Sequence, residues 1–363
     1  MEPAQARAAL ASASPTERAI AACHLGRMTA DEVRPAREQL LAMLTDDTPV
    51  EGRLCRDYNQ HWGGEQDEST PGREAAIALE ELGAEVLDPL LDVLEGPNAA
   101  GRENAALGLG LIEDPRAVPA LSAALSEDRV AEVRARSAWS LGLIEHPDAV
   151  AALSNALRND TDGDTRGQSA WALGMIEDPA GVPSLLDSFD DAVVEVRSQA
   201  AWALGMIEHP SGVPGLNRAI DDTDAEVRSQ AAWALGMIES PEGVDPLVQA
   251  LDDSDAKVRG QAAWGLGMIE SNRATSDLIR TLRADRDAEV RSQTAWALGM
   301  IEDPDATEAL LEAIEDEDPD VQEQAMWALS RVLRTGGFSR VDRSELAAKL
   351  RRALGRDPES GAT

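Results

Sequence analysis

The hydrophobic positions in the middle of the chain follow a helical period. Between residues 225 and 255, one apolar stripe has the i, i+4, i+7, i+8, i+11 spacing of a helix with one buried face, and it consists of Val227, Ala231, Ala234, Leu235 and Ile238. Asp224 stands where an N-cap is expected, and Pro241 cannot continue a helix. The pattern therefore predicts a first helix over residues 226–239, a short second helix over residues 244–251, and an acidic turn after it.

This two-helix unit recurs along the chain. Seven tryptophans, 31 or 32 residues apart, form what we call the tryptophan column: Trp139, Trp171, Trp202, Trp233, Trp264, Trp296 and Trp327. Weaker copies place Leu107 and Ile77 in the same position, so the sequence predicts about nine tandem units. Aspartate repeats at the N-cap position in Asp162, Asp255, Asp287 and Asp318. Such units stack on their neighbours to form a single elongated domain.

Other residue types form columns at fixed distances from tryptophan. The arginine column is Arg102, Arg134, Arg166, Arg197, Arg228, Arg259 and Arg291. The glutamine column is Gln168, Gln199, Gln230, Gln261, Gln293 and Gln324, and the glycine column is Gly142, Gly174, Gly205, Gly236, Gly267 and Gly299. Because one arginine per unit indicates an architectural role, we interpret the arginine column, with the glutamates that end each first helix, as a structural charge ladder.

The tryptophan column is the main candidate for a binding surface. At 100° per residue, Trp233 lies well away from the buried stripe and Gly236 lies nearly opposite it, on an open or inter-repeat face. A glycine within a helix costs about 1 kcal/mol relative to alanine, so its repetition indicates a close approach to the backbone. Two interpretations remain open: the rings pack against the next helix, or they bind a ligand or partner. Gln199, Gln230 and Gln261 lie beside the rings and belong to the same candidate surface.

The segment EVRSQAAWALGMIEDP, followed by a short second helix, resembles the HEAT-like repeats of the phycocyanobilin lyases and their relatives. The resemblance covers residues 72–333 and implies an all-α, right-handed α-solenoid with helical caps. It also implies that the first helices line the concave side, and that each arginine pairs with an aspartate of a turn. For Arg228 this partner is Asp224 or an acidic residue of the adjacent unit.

The ends of the chain depart from the repeat. We predict an N-terminal helical cap and irregular segment over residues 1–70, a solenoid over 71–333, and a capping helix with a basic tail over 334–363. The first segment contains Cys23, His24, Cys55 and His61, whose spacing is poor for a zinc site. Residues 53–64 contain most of the rare residue types and form a candidate functional loop, or an irregular linker.

The charge of the chain changes what it is expected to bind. The net charge is −34, from 67 acidic and 33 basic residues, and only Lys257 and Lys349 are lysines. This composition is typical of a salt-rich cytoplasm, such as that of a halophilic archaeon. It disfavours nucleic acid, which requires a clustered basic surface. No apolar run reaches the ~20 residues that span a membrane, and no signal sequence is present, so a soluble cytoplasmic protein is expected.

No catalytic motif is present in the sequence. It contains no Gly-rich phosphate loop, G-x-S-x-G elbow or H-E-x-x-H pair, and the acidic turns lack the twelve-residue calcium loop. We therefore expect no catalytic residue, no metal and no cofactor. The leading hypothesis is a scaffold or adaptor that binds a protein or peptide on the concave, tryptophan-lined face. The alternative, from the resemblance, is a lyase-like or chaperone protein for a bilin or other tetrapyrrole-like ligand.

Overall fold

The computed structural model describes residues 1–51 and 68–335, together with residue 344 and residues 347–349. The chain divides into two compact units, Met1–Ser188 and Phe189–Thr363. Both consist of α-helices and short 3-10 turns, and the first also contains two paired antiparallel strands, β1 (Val50–Glu51) and β2 (Glu68–Ser69). Within the described ranges, every helix is too short or too polar to cross a lipid bilayer.

In the first unit, long helices pack side by side in chain order and short helices pack behind them. The helices are α1 (Pro3–Ala9), α2 (Pro15–Leu25), α3 (Ala30–Val33), α4 (Arg37–Met43), α5 (Pro71–Glu80), α6 (Leu87–Leu94), α7 (Ala99–Ile112), α8 (Val118–Glu127), α9 (Ala131–Ile144), α10 (Val150–Asn159), α11 (Gly163–Ile176) and α12 (Val182–Asp187). The long series is α2, α5, α7, α9 and α11.

The second unit repeats this arrangement with α13, α15, α17, α19 and α21 as the long series. Its helices are α13 (Val194–Ile207), α14 (Val213–Ala219), α15 (Ala225–Ile238), α16 (Val244–Ala250), α17 (Ala256–Ile269), α18 (Thr275–Ala284), α19 (Ala288–Ile301), α20 (Thr307–Ala313) and α21 (Pro319–Arg334). The described residues thus hold five long–short pairs in the first unit and four in the second. The predicted all-α solenoid of about nine units is confirmed.

Local sequence explains where each long helix begins and ends. In α15, Asp224 accepts a hydrogen bond from the Glu226 amide at 2.9 Å, as the N-cap prediction requires. The helix ends at Ile238, because Glu239 adopts the left-handed conformation with φ of 53°. Pro241 then begins a 3-10 turn that leads into α16. Left-handed backbone is uncommon outside glycine, and a glutamate at this position was not predicted from the sequence.

The predicted buried stripe forms the core of each repeat. In α15, Val227, Ala231, Ala234 and Leu235 are fully buried, and Ile238 is 9% exposed. The short helices cover this stripe: α14 packs on α15, and α16 packs on α17. Small residues in the stripe allow the helices to pack closely, so the core depends mainly on alanine, leucine and valine.

Ion pairs join each repeat to the next one. Arg228 on α15 donates from Nε and Nη2 to the two carboxylate oxygens of Asp253, at 2.7 and 2.9 Å. Asp253 lies in the following turn, so Arg228 takes the inter-unit partner and not Asp224. Six further pairs are of this kind: Arg18–Asp46, Arg102–Asp128, Arg134–Asp160, Arg197–Asp222, Arg259–Asp285 and Arg291–Asp316. The arginine column thus contacts aspartates of the turns, separately from the glutamates that end the helices.

These pairs connect into a continuous network within the second unit. Arg228 also donates to the backbone carbonyl of Asp222 at 2.9 Å, while the carboxylate of Asp222 binds Arg197. Arg259 and Arg291 repeat the link through the carbonyls of the next two turns. At the last repeat, Gln322 replaces arginine and donates to the carbonyl of Asp316 at 2.6 Å. Each turn therefore receives hydrogen bonds from the helices on both sides of it.

The structure also reveals a repeat that the sequence analysis missed. Arg18 on α2 pairs with Asp46 and donates to the carbonyl of Ser12, which is the geometry of the arginine column. Five residues after Arg18, Cys23 occupies the tryptophan position, and Gly26 follows at the glycine position. A methyl group on Gly26 would lie 3.2 Å from the Cα of Ala78 on α5. The helix α2 therefore packs as the first helix of a repeat. The domain boundaries predicted at residues 70 and 333 stay predictions.

Five glycines of the column, Gly142, Gly205, Gly236, Gly267 and Gly299, lie against the tryptophan of the following repeat. A methyl group on Gly236 would lie 2.7 Å from the Trp264 ring and 2.7 Å from the Cα of Gly265. Equivalent contacts of 2.5 to 2.7 Å join Gly142 to Trp171, Gly205 to Trp233, Gly267 to Trp296 and Gly299 to Trp327. Carbon atoms in contact are normally 3.5–4.0 Å apart, so only glycine fits here. The packing interpretation of the tryptophan column is therefore supported directly.

The ion-pair network gives a stability prediction. Arg228 and Asp253 are 14% and 11% exposed, so Asp253→Asn leaves a largely buried arginine unpaired. We expect a loss of about 3 kcal/mol in the free energy of unfolding, measured by urea denaturation at pH 7. The matched control is Asp252→Asn, because that neighbouring carboxylate is 66% exposed and pairs only with Arg280 at the surface. The control should change stability by at most about 1 kcal/mol, and equal losses would contradict the account.

The same pairs predict the direction of the pH dependence. Burial opposes ionisation of Asp253, but hydrogen bonds from Arg228 and from the Asp255 amide outweigh it and lower the pKa. The pKa values of Asp222, Asp285 and Asp316 are lowered by the same balance. Because these values lie below those of the unfolded chain, the stabilisation is complete above about pH 5 and is lost as the pH falls further. The Asp253→Asn variant should lose less stability than the wild type between pH 5 and 2.

The glycine contacts predict opposite effects for two glycines of the second unit. Gly236→Ala introduces a methyl group against the Trp264 ring and the backbone of α17, so we expect about 1–3 kcal/mol of destabilisation. Gly260→Ala places its methyl group where no atom lies within 4 Å, so better helix propensity should stabilise by up to about 1 kcal/mol. Thermal unfolding followed by circular dichroism compares the two. Destabilisation by both variants, or by neither, would contradict the proposed packing.

Candidate functional site

In the first unit, the tryptophan column has one buried ring, Trp139, and one half-buried ring, Trp171. Trp139 is 4% exposed and stacks on Trp171, with ring centroids 6.4 Å apart and planes inclined by 14°. The guanidinium of Arg136 lies 5.7 Å from the centre of the Trp139 ring. These contacts leave little of the Trp139 ring exposed, so Trp139 serves packing.

The column is open in the second unit. Trp202, Trp233, Trp264 and Trp296 are half-buried, and Trp327 is 37% exposed. For Trp233 and Trp264, the glycine contacts fix one edge of each ring, and the remaining surface lines an open cleft. We call the half-buried tryptophans of α13, α15, α17 and α19, with the glutamines beside them, the tryptophan face. Each half-buried indole therefore combines a packing contact with accessible surface.

Three glutamines of this face are held by glutamates one turn earlier. Gln199 donates to Glu195 at 2.7 Å, and Gln230 donates to Glu226 at 3.0 Å. Gln293 binds Glu289 in the same way at 3.0 Å. Gln261 on α17 is the exception on this face, because Lys257 stands where α13, α15 and α19 have glutamate. Among the described residues no side chain accepts a hydrogen bond from Gln261, so its amide can bind a partner.

A cleft of about 630 Å³ opens on this face at α17. We call it the α17 cleft, and it is lined by Trp233, Ala256, Lys257, Gly260, Gln261, Trp264, Asp287, Glu289 and Gln293. Its volume lies within the usual range for ligand sites, roughly 300–1,000 Å³. Two indoles, two amides and two carboxylates converge on it, so it offers stacking, hydrogen bonding and charge.

The α17 cleft lies where the repeat departs from its own pattern. Compared with α15, α17 has Lys257 in place of glutamate, Gly260 in place of serine and Gly265 in place of alanine. The missing side chain at Gly260 leaves open space, and Gly265 lets the backbones of α15 and α17 approach closely. Structural columns keep their symmetry from repeat to repeat, whereas a binding site breaks it. The three departures therefore distinguish this part of the face from simple packing.

The charge at the cleft is mainly negative. Lys257 is held by Glu226 on α15, with 2.6 Å between Nζ and the carboxylate. This hydrogen bond, which outweighs the opposing effect of burial, lowers the pKa of Glu226. Asp287 caps α19, and Glu289 is exposed beside it. The cation of the cleft is thus already paired, while carboxylates remain accessible.

Burial of charge marks another position that the sequence analysis did not single out. In the first unit, Arg136 occupies the position of the glutamine column and is 6% exposed. Burial is the main cause of its pKa falling to about 10, and Glu103 contacts it at 3.2 Å. Arg136 lines a cleft of about 310 Å³ together with Arg73 and Asn104. Arg136 lies two residues after Arg134, where the later repeats have glutamine. This departure from the repeat could therefore have been recognised in the sequence.

The other candidate sites from the sequence are only partly covered by the structure. Cys23 is 6% exposed and is not a free thiol. Cys55, His61, the rest of residues 53–64, and the arginines that follow Arg334 lie outside the described residues. Within the described ranges, no group of three or more histidine, cysteine, aspartate or glutamate side chains is arranged to hold a metal ion. Asp222 and Asp253 of the acidic turns are the partners of the arginine column.

The comparisons with known proteins concern the repeat and the fold. Importin beta is similar over 98% of this chain and 53% of its own, with 15% identity and a TM-score of 0.64. YibA of Escherichia coli is similar over 74% of this chain and 100% of its own, with 21% identity and a TM-score of 0.51. The CpcE–CpcF complex of phycocyanin lyase from Nostoc sp. has a TM-score of 0.41 at 23% identity, over 68% of this chain and 94% of that one. These identities show likeness of fold alone.

The sequence itself identifies the repeat. Among curated proteins, no sequence matches this chain. The family model described as HEAT repeats, however, matches residues 66–142, 120–205, 190–267, 213–299 and 275–362. Together these matches extend over most of the chain, through both compact units. The protein therefore belongs to the family of HEAT-repeat proteins.

Proposed function

We propose that the protein is a non-catalytic scaffold or adaptor that binds a partner protein or peptide on the tryptophan face of its second unit. The observation that carries this proposal is the α17 cleft. There, Trp233 and Trp264 present accessible ring surface, Gln261 presents a hydrogen-bonding amide, and the repeat departs from its pattern at Lys257 and Gly260. A site with these features can hold a side chain between the indoles and bind a peptide backbone through the amide.

The way the rings are held favours binding. Tryptophan is enriched among the residues that dominate binding energy, because it buries a large area and orders few rotatable bonds. Here the glycine contacts already fix Trp233 and Trp264 in the free protein. A partner therefore meets pre-positioned rings, and little side-chain entropy is lost when it binds.

The charge of the chain indicates the kind of medium in which the protein binds its partner. With a net charge of −34, the protein repels acidic partners such as nucleic acid and anionic lipid, and dissolved salt screens its self-repulsion. We place the protein in a salt-rich cytoplasm, such as that of a halophilic archaeon. Its partner is then a protein or peptide, and molar salt is the right medium in which to search for it.

The proposal predicts the effect of removing the amides of the face. Gln230→Ala, Gln261→Ala and Gln293→Ala, combined in one chain, remove side chains that face the cleft or flank it without touching the tryptophan–glycine contacts. The partner is first captured from an extract of the source organism in molar KCl and identified by mass spectrometry. Its affinity for the purified variant, measured by isothermal titration calorimetry, should fall about tenfold or more, the equivalent of about 1.4 kcal/mol.

The control for this variant is Gln249→Ala. Gln249 lies on the short helix α16 and binds Asp221, so it belongs to a different surface of the same unit. Helicity and unfolding temperature should be unchanged in both variants. If the triple variant binds the captured partner as tightly as the wild type does, the tryptophan face is not the site.

A tetrapyrrole-like ligand is the second candidate for the same cleft. A volume of about 630 Å³ between two indoles suits a flat ring system. Titration with haem or a linear tetrapyrrole should then quench the tryptophan fluorescence and saturate at micromolar concentration. Saturable quenching by a ligand that competes with the captured partner would support the tetrapyrrole-like ligand as the main ligand of the cleft. A colourless stoichiometric complex with the partner, without quenching by tetrapyrroles, would support the adaptor function.

A further inference from the structure

The tryptophan face presents one kind of charge beside its rings. The first turns of α13, α15 and α19 expose Glu195, Glu226 and Glu289, and the caps of α15, α17 and α19 add half-buried aspartates. The arginine column cannot neutralise this row, because its guanidinium groups are held by Asp222, Asp253, Asp285 and Asp316. Carboxylates therefore flank the accessible indoles, and Lys257, which is paired with Glu226, is the cation in the row.

Indole rings flanked by carboxylates suit a cationic side chain. A guanidinium or ammonium group is attracted to the face of an aromatic ring, most strongly to that of tryptophan. An arginine side chain can stack on an indole and donate to a nearby carboxylate with the same group. At the α17 cleft, Trp264 offers the ring and Glu289 and Asp287 offer the carboxylates. At low ionic strength, the net charge of −34 adds long-range attraction for a basic partner.

The amides of the face indicate the conformation of the partner. Gln261 lacks the intrahelical acceptor that holds Gln199, Gln230 and Gln293, so it can bind a peptide backbone. A helical partner already satisfies its own backbone groups, whereas an extended one leaves them free. Stacked helices lie roughly 8–10 Å apart, which is close to the rise of three residues in the extended polyproline II conformation at about 3.1 Å each. Because this conformation has three residues per turn, every third side chain lies on the same side, and the segment can present it to successive repeats.

From these observations we infer that the partner binds through an extended basic segment, in which arginine or lysine at about every third residue stacks on the tryptophans of the second unit. This inference rests on the proposed function and specifies the chemistry of its partner. Lys257 sets the register, because a cationic side chain is repelled at that position and accepted beside Trp264 and Glu289.

The test uses three synthetic peptides of about twelve residues, long enough in extended form to cross about four repeats. Each consists of glycine and serine with arginine, glutamine or glutamate at every third position. Binding to the full chain is measured by fluorescence anisotropy in about 0.05 M and about 1 M KCl, where the screening lengths are roughly 14 and 3 Å. The arginine peptide should bind at least tenfold more tightly than the glutamine peptide at low salt, and the glutamate peptide should not bind.

Two substitutions should change the affinity for the arginine peptide in opposite directions. Lys257→Ala removes the cation without adding an acceptor for Gln261 and should tighten binding of the arginine peptide about threefold at low salt. Glu289→Gln removes a carboxylate of the cleft and should weaken binding by a similar factor. The matched control is Glu270→Gln, at the exposed end of the same helix α17, which should leave affinity unchanged. Weaker binding by the Lys257→Ala variant would overturn the inference.

The outcomes separate this inference from the proposed function. The glutamine or glutamate peptide could bind as well as the arginine peptide, with binding lost in the Gln230/Gln261/Gln293→Ala variant. This result would support the tryptophan face as the binding site and contradict the inference of a basic segment. If none of the peptides binds, the basic segment is also wrong, and the captured partner then decides the face. If the captured partner binds the glutamine variant with unchanged affinity, the proposed function is wrong, whichever peptides bind.

Discussion

The fold depends on the link between each arginine of the column and the aspartate of the next turn. Each arginine reaches forward to a carboxylate and back to a carbonyl, so it joins its own helix to the turns on both sides. The pairs in the second unit are only 7 to 16% exposed, and an arginine without its aspartate would be a largely buried unpaired charge. A chain with a net charge of −34 thus uses some of its arginines to hold the repeats together.

The tryptophan–glycine contact follows from this close stacking and connects the fold to the proposed function. Helices drawn together leave no room for a side chain at the glycine position, and the indole of the next repeat fills the remaining space. The same ring is too wide to be buried by that contact alone, so Trp233 and Trp264 keep accessible surface. In the first unit, the stacking of Trp139 on Trp171, with Arg136 over the ring, buries Trp139. Packing and binding are therefore two uses of one residue, and the neighbours decide which one is available.

Much of the repeat could be predicted from the sequence, because its signals are local. The apolar stripe, the aspartate caps and the period of the tryptophans follow from helical geometry, and the structure confirms the stripe and the caps. The partner of Arg228 was left open, because Asp224 and Asp253 are equally acidic and only the stacking decides between them. The repeat at α2 was missed, because Cys23 occupies the tryptophan position there. The left-handed glutamates had no sequence signal, since this residue is not one that favours such backbone.

The candidate site was predictable only in part. The sequence pointed to the tryptophan face, and the departures at Lys257, Gly260 and Gly265 are visible in it. Their consequence depends on three-dimensional packing: a missing side chain becomes a cleft only when the adjacent helix leaves that space open. Likewise, the accessibility of Gln261 follows from the pairing of Lys257 with Glu226 on another helix.

The most direct test of this account is hydroxyl-radical footprinting of the tryptophans, read by mass spectrometry, with and without the captured partner. The account predicts that Trp139 is the least reactive in the free protein and Trp327 the most, with Trp233 and Trp264 between them. Addition of the partner should protect Trp233 and Trp264. If those two rings are as unreactive as Trp139 in the free protein, or keep their full reactivity in the complex, the tryptophan face serves packing alone.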